Sequence, residues 1–144
     1  MDNEPYRELT HHEAAEYLAT MMRSRGLSVR REVPLPSGKV ADVLVQDNDG
    51  KFSIYEVKTE LKASLIEAAQ RKYAHWCHRL YIAIPHLTWT YLEDQTEVSA
   101  WRHGRERVGV IGVYRDALMI FRPAIGQPMP PELYRSIAAL LKTP

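Results

Sequence analysis

The sequence predicts a single mixed α/β domain, and three observations predict it. Apolar residues recur at helical spacing near the start of the chain, at Ala14, Ala15, Leu18, Met21 and Met22. Two β-branched runs, VADVLVQ at 40–46 and FSIYEVK at 52–58, flank Asp47-Asn48-Asp49-Gly50, a strong hairpin signal. A near-continuous apolar run, RLYIAIP at 79–85, follows a segment of helical composition. That is the pattern of a strand covered on both faces and reached through a crossover helix.

Each element has its own signals. Thr10 and Glu13 stand at capping-box spacing, and Gly26 suits a C-cap, so a helix is expected over about 11–25. A short strand over 27–34 should end at the turn cluster Pro34-Leu35-Pro36-Ser37-Gly38. The hairpin strands occupy 40–46 and 52–58, a helix runs from 64 to about 77, and the apolar strand covers 79–85. Residues 86–107 read as loop with one short helix. Strands over 108–114 and 117–122 turn around Arg115-Asp116, and Pro131 opens a last helix over about 132–142. The order α-β-β-β-α-β, then β-β-α, requires a mixed sheet with helices on its faces.

Composition bounds the function. The 144 residues fit one domain, 1–144, with no repeat, low-complexity tract or linker, and 45% hydrophobic with 26% charged residues is a globular balance. Nineteen Lys+Arg against eighteen Asp+Glu give a net charge of +1, which excludes a polybasic protein held on nucleic acid by bulk charge. The lone Cys77 excludes a disulfide framework and a Cys-rich zinc module. With no membrane span and no signal-peptide pattern after Met1-Asp2-Asn3-Glu4, the expectation is a soluble, cytoplasmic protein. The six histidines include His11-His12 and His75-x-Cys77-His78, but none has the spacing of a zinc site.

The informative stretch is KVADVLVQDNDGKFSIYEVK, residues 39–58. Asp42 starts one hairpin strand and Glu56-Val57-Lys58 ends the other. Strand alternation puts Glu56 and Lys58 on one face, behind Phe52 and Ile54, where Asp42 can reach them. Two carboxylates and an ammonium ending half-buried strands are costly unless they pair or coordinate something. A divalent metal held by Asp42 and Glu56 explains the set, with Lys58 orienting water or neutralising a phosphate. The simpler alternative is a cross-strand salt bridge. A third acid from the first helix would complete the site, either Glu16 or Glu13, the latter with a competing role in the cap.

The Asp42, Glu56-Val57-Lys58 pattern, with an acidic helix before it and a helix-strand after it, resembles the PD-(D/E)xK (restriction-endonuclease-like) nuclease superfamily. More closely, EVPLPSGKVAD at 32–42 and RLYIAIP at 79–85 are similar to bacterial MmcB-like DNA-repair proteins. The resemblance implies an α-β-β-β-α-β core, a catalytic set of Asp42, Glu56 and Lys58, and Mg²⁺ or Mn²⁺ as cofactor. It also places Gln70, Arg71, Lys72 and Tyr73 on a helix that contacts the active site in some branches. Ala41 stands where the pattern has proline, which leaves the Asp42 ligand intact.

The expected activity is metal-dependent hydrolysis of DNA phosphodiester bonds in repair or processing. The alternative is a non-catalytic nucleic-acid-binding or protein-interaction module on the same fold. Basic residues gather in three groups: Arg23, Arg25, Arg30 and Arg31; Lys62, Arg71, Lys72 and Arg79; and Arg102, Arg105 and Arg107. If they share a face they would contact DNA phosphates, Arg30 and Arg31 among them. A duplex cut needs two sites and the chain offers one, which points to a homodimer.

Overall fold

Helix α1 runs His11–Ser24 in a computed structural model that describes residues 9–94 and 107–142. The expected capping box is formed: Glu13 N–H donates to Thr10 Oγ1 and Thr10 N–H to Glu13 Oε1, both at 3.1 Å. At the other end Gly26 adopts φ +83°, one position beyond the C-cap Arg25. Its N–H bonds Arg23 O at 2.9 Å and Leu27 N–H bonds Met22 O at 3.3 Å, a closure that needs a left-handed residue.

Strands β1 (Ser28–Pro34), β2 (Val40–Gln46) and β3 (Phe52–Val57) form an antiparallel meander. Helix α2 (Ala63–Tyr73) and a 3₁₀ turn over Ala74–Trp76 then cross to β4 (Arg79–Pro85), which lies parallel to β3 from Ser53↔Arg79 to Val57↔Ala83. The single helix expected over 64–77 is thus two pieces. After α3 (Trp89–Asp94), β5 (Gly109–Val113) pairs parallel with β4, and β6 (Leu118–Arg122) pairs antiparallel with β5. Helix α4 (Pro131–Lys142) ends the described chain. The strand order is β1-β2-β3-β4-β5-β6. Of the segment expected to be mostly loop, 95–106 lies outside the described residues. Among the described residues no helix is long and apolar enough to cross a membrane.

Two cores sandwich the sheet. On one face α1 buries Ala14, Ala15, Leu18 and Met22 against Val43, Val45, Tyr55, Val57, Tyr81, Ala83, Ile111 and Val113. On the other, Ile66, Ala69 and Tyr73 of α2 and Ile137 of α4 cover Leu44, Phe52, Ile54, Leu80, Ile82 and Val110. Each fully buried aliphatic side chain contributes about 1.5–3 kcal/mol through removal from water. Cover on both faces explains why β3 and β4 read as near-continuous apolar runs. Every residue of β3 is buried, including its two polar members, Ser53 and Glu56. Strand β3 stops at Val57, yet Lys58 N–H still donates to Ala83 O at 2.9 Å, so Lys58 is held in line with the sheet.

Candidate active site

The hairpin turn sets which residues meet at its far end. Gly50 (φ +81°) closes the turn, with Gly50 N–H on Asp47 O at 2.9 Å and Asp47 N–H on Lys51 O at 2.8 Å. The resulting register pairs Val43 with Tyr55 and Leu44 with Ile54, so one further step sets Asp42 opposite Glu56. There the ladder opens, and Val57 N–H donates to the side chain of Asp42, to Oδ2 at 2.8 Å. On the other side of β2, pairing skips from Arg31↔Val43 to Val33↔Ala41, with Glu32 between them at φ +52°. A left-handed glutamate is a strained residue, and it sits on the strand neighbouring Asp42.

Glu56 is 5% exposed. Tyr73 of α2 donates its hydroxyl to Glu56 Oε1 at 3.3 Å and to Val40 O at 3.0 Å, sharing one proton between two acceptors. Glu56 Oε2 is buried with no hydrogen-bond partner. Burial, then the neighbouring Asp42 carboxylate, push the Glu56 carboxyl up to about 8, against a smaller downward pull from Lys58. The same burial, with the Glu56 and Asp42 charges, raises the Tyr73 phenol, so its hydroxyl stays a donor. A carboxyl that is buried, half-unpaired and reluctant to ionise fits a cation-binding role, because a positive charge at the unpartnered oxygen would relieve all three conditions. The donor set itself, two carboxylates, suits Mg²⁺ or Mn²⁺. Among the described residues no group of three or more His, Cys, Asp or Glu side chains could hold a metal ion, so the protein itself would offer an ion at most the two carboxylates.

The structure therefore brings Asp42, Glu56, Lys58 and Tyr73 to one end of the β2–β3 hairpin, Lys58 half-buried just past Glu56. Glu16 is engaged by Arg31. Its Oε1 accepts from Arg31 at 2.6 Å, and that guanidinium holds the carboxyl below its usual range. Glu13 is engaged in the cap. The α1 side chain that does arrive is His11, with Nε2 3.2 Å from Asp42 Oδ2. In sequence His11 reads only as a poor zinc candidate; its position at the first residue of a capped helix is the signal that could have found it.

Among the described residues, several of the arginines in the basic groups are engaged by the fold itself. Arg30 donates to Leu140 O at 2.6 Å, fastening α4 to β1, and Arg31 joins β1 to Glu16 of α1. Arg25 and Arg79 line a groove of about 570 Å³ on the α1 side of the sheet, with Tyr55 and Tyr81. Arg107 donates to Gly126 O at 3.1 Å, while Arg102 and Arg105 lie outside the described residues. Gln70 and Arg71 line a shallow hollow with His75 and Gln127, and Lys72 and Lys39 are exposed. Cys77 is buried, its Sγ donating to Tyr73 O, and burial raises its thiol to about 12, which rules out a nucleophile at neutral pH.

A six-stranded mixed sheet flanked by helices, with the core order α-β-β-β-α-β, is the mixed α/β arrangement expected from the sequence. The family model described as DNA repair protein MmcB-like matches residues 8–91, more than half of the chain, and the chain belongs to this family. The match spans α1 through β4 and so includes His11, Asp42, Glu56, Lys58 and Tyr73. Among solved structures, the chain is similar to a protein of unknown function from Silicibacter pomeroyi, at 20% identity and TM-score 0.65, over 98% of this chain and 86% of that one. A repair endonuclease from Pyrococcus abyssi is similar at 22% identity and TM-score 0.40, over 62% of this chain and 45% of that one. No curated protein matches the chain.

Proposed function

We propose that the protein is a metal-dependent nuclease that hydrolyses DNA phosphodiester bonds in repair or processing. One observation carries the reading: Glu56, buried with Oε2 unpartnered, opposite Asp42 and two residues before Lys58. A structural salt bridge would leave both carboxylates paired; Asp42 has His11 at 3.2 Å, but the buried Glu56 Oε2 has no counterpart. Membership in a family named for DNA repair supports DNA as the substrate.

Asp42 and Glu56 would hold Mg²⁺ or Mn²⁺, which supplies a more acidic water and charge stabilisation at phosphorus. The remaining work falls to the chain. Val57 N–H fixes Asp42 and the Tyr73 hydroxyl fixes Glu56, so both carboxylates keep their aim during the reaction. The Lys58 ammonium, held by its own backbone bond to β4, orients the attacking water or neutralises the phosphate. The water oxygen bonds to phosphorus, the bond from phosphorus to the leaving sugar oxygen breaks, and that oxygen takes up a proton. Lys39 and Lys72, both exposed and each next in sequence to one partner of the Val40–Tyr73 contact, would meet flanking phosphates.

The test is to incubate plasmid, single-stranded and branched DNA with the wild type and Glu56→Ala in Mg²⁺ or Mn²⁺. The expected result is cleavage by the wild type alone. Equal cleavage by both removes Glu56 from the mechanism. Salt-sensitive DNA binding without cation binding or cleavage would instead identify a non-catalytic binding module.

A further inference from the structure

Strand β6 is an edge of the sheet among the described residues, and its interior carries nothing that blunts an edge. Leu118-Met119-Ile120-Phe121 holds no charge, proline or glycine, where exposed edge strands ordinarily carry them. Large apolar side chains also gather there. Five stand exposed among the described residues: Val40, Trp89, Met119, Ile120 and Ile125. Met119 and Ile120 lie on β6, and the Trp89 ring stands 4.5 Å from that of Phe121. Ile125 continues the line of the strand, its N–H on Arg107 O at 2.9 Å. Only Val40 lies on another strand, β2. Single exposed apolar residues are ordinary; four along one edge mark an interaction surface.

The strand's own pattern selects the occupant. Antiparallel pairing of two identical strands is a two-fold contact, and the position of the axis fixes its register. Beyond Ile120 a bulge takes up Phe121, so the regular part of β6 is Leu118–Ile120. An axis at Met119 pairs all three of these residues among themselves, Leu118 with Ile120 of the second copy and Met119 with its own equivalent. The same register brings Asp116, just before the strand, toward Arg122 at its end, and does so twice by symmetry. Moving the axis half a residue toward the turn sets Arg115 against Arg122 instead, two like charges. Backbone regularity and charge complementarity thus choose the same register.

We infer that β6 is the surface through which two copies of this chain associate, edge to edge and antiparallel about Met119, so that one sheet continues through both. Pairing satisfies backbone groups on the outer edge of β6 and removes Met119 and Ile120 from water, with Trp89, Phe121 and Ile125 at the flanks. The inference stands apart from the nuclease reading, because the edge is apolar whatever the hairpin binds. It names the contact for the homodimer that a duplex cut would use.

The test is sedimentation equilibrium of the full chain. The wild type should be a dimer. Ile120→Lys changes an exposed residue, so it should keep the wild-type circular dichroism while the dissociation constant rises at least about tenfold. Cross-linking reads the register. Directly opposed residues of an antiparallel pair lie about 4.5–5.5 Å apart at Cα, within disulfide range. Met119→Cys should therefore form a disulfide-linked dimer under mild oxidation, while Val40→Cys, as exposed but on β2, should not; the native Cys77 is buried. A wild type that sediments as a monomer would leave the edge to a strand of another protein and overturn the inference. So would a dimer unchanged by Ile120→Lys, or cross-linking of Met119→Cys no faster than that of Val40→Cys.

Discussion

The two ends of the β2–β3 hairpin carry the same kinds of residue and reach opposite electrostatic outcomes. At the turn end, Asp47 Oδ2 accepts from Ser53 Oγ at 2.8 Å and from Arg79 at 3.0 Å. Asp49 accepts from Lys51 N–H at 3.0 Å and from the other Arg79 nitrogen at 2.9 Å, and these bonds, the Lys51 one first, hold its carboxyl below the usual range. Tyr134 of α4 donates to Gly50 O at 2.9 Å, and His78 Nδ1 accepts from Phe52 N–H at 2.9 Å. At the open end, Asp42 and Glu56 face each other without an arginine, and the Glu56 carboxyl is pushed up rather than down. The turn end is a finished polar network. The open end is a site with a charge missing, and a fold tolerates that cost where it serves binding.

The pH dependence of stability breaks the comparison most sharply. A native Glu56 that ionises near 8, against an ordinary value of 4.5, binds its proton where the unfolded chain has lost its own. Stability of the metal-free protein should therefore be highest below 4.5 in this contribution and fall as pH rises toward 8. The slope from this one group is up to about 1.4 kcal/mol per pH unit. Denaturant unfolding across that window should show the fall in the wild type and lose this component in Glu56→Gln. Identical slopes would mean that Glu56 is not the strained group.

A smaller effect belongs to the turn end. Arg79→Met leaves half-buried Asp47 without its cation and should cost about 1–2 kcal/mol, discounted because the pair is partly exposed to solvent. It should leave Mn²⁺ affinity unchanged; a loss of affinity would show that the two ends are coupled. The smallest effect is expected from Glu16→Gln. The Glu16 end of its bond to Arg31 is half-exposed while the Arg31 end is mostly buried, so the change should stay within about 1 kcal/mol and leave cation affinity as it was. A large loss of affinity would restore Glu16 to the site.

Much of this arrangement is legible in the amino-acid sequence. The hairpin strands, the parallel β4 and the meeting of Asp42 with Glu56 follow from alternation and from one turn, because register is local information once Gly50 closes it. Lys58 follows from the same period of two. The α1 contribution is not legible. Helical spacing gives the face that Glu16 occupies but not that Arg31 waits on β1 to take it. Nor does it show that His11 lands on Asp42, which depends on how α1 crosses the sheet. Arg30 and Arg31 read as phosphate contacts because sequence shows charge and not partners; one holds the end of α4 and the other the side of α1. The left-handed Glu32 carries no sequence mark at all, since glutamate has no preference for that conformation.

Proton release on cation binding tests the central claim most directly. With the Glu56 carboxyl near 8, it is mostly protonated at pH 7, and a cation at Oε2 must displace that proton. Calorimetric titration of Mn²⁺ in buffers of different ionisation enthalpy should therefore report close to one proton released per ion by the wild type, with binding abolished in Glu56→Gln. Mn²⁺ binding without proton release, or binding that survives in Glu56→Gln, would contradict the assignment of the open end of the hairpin as the metal site.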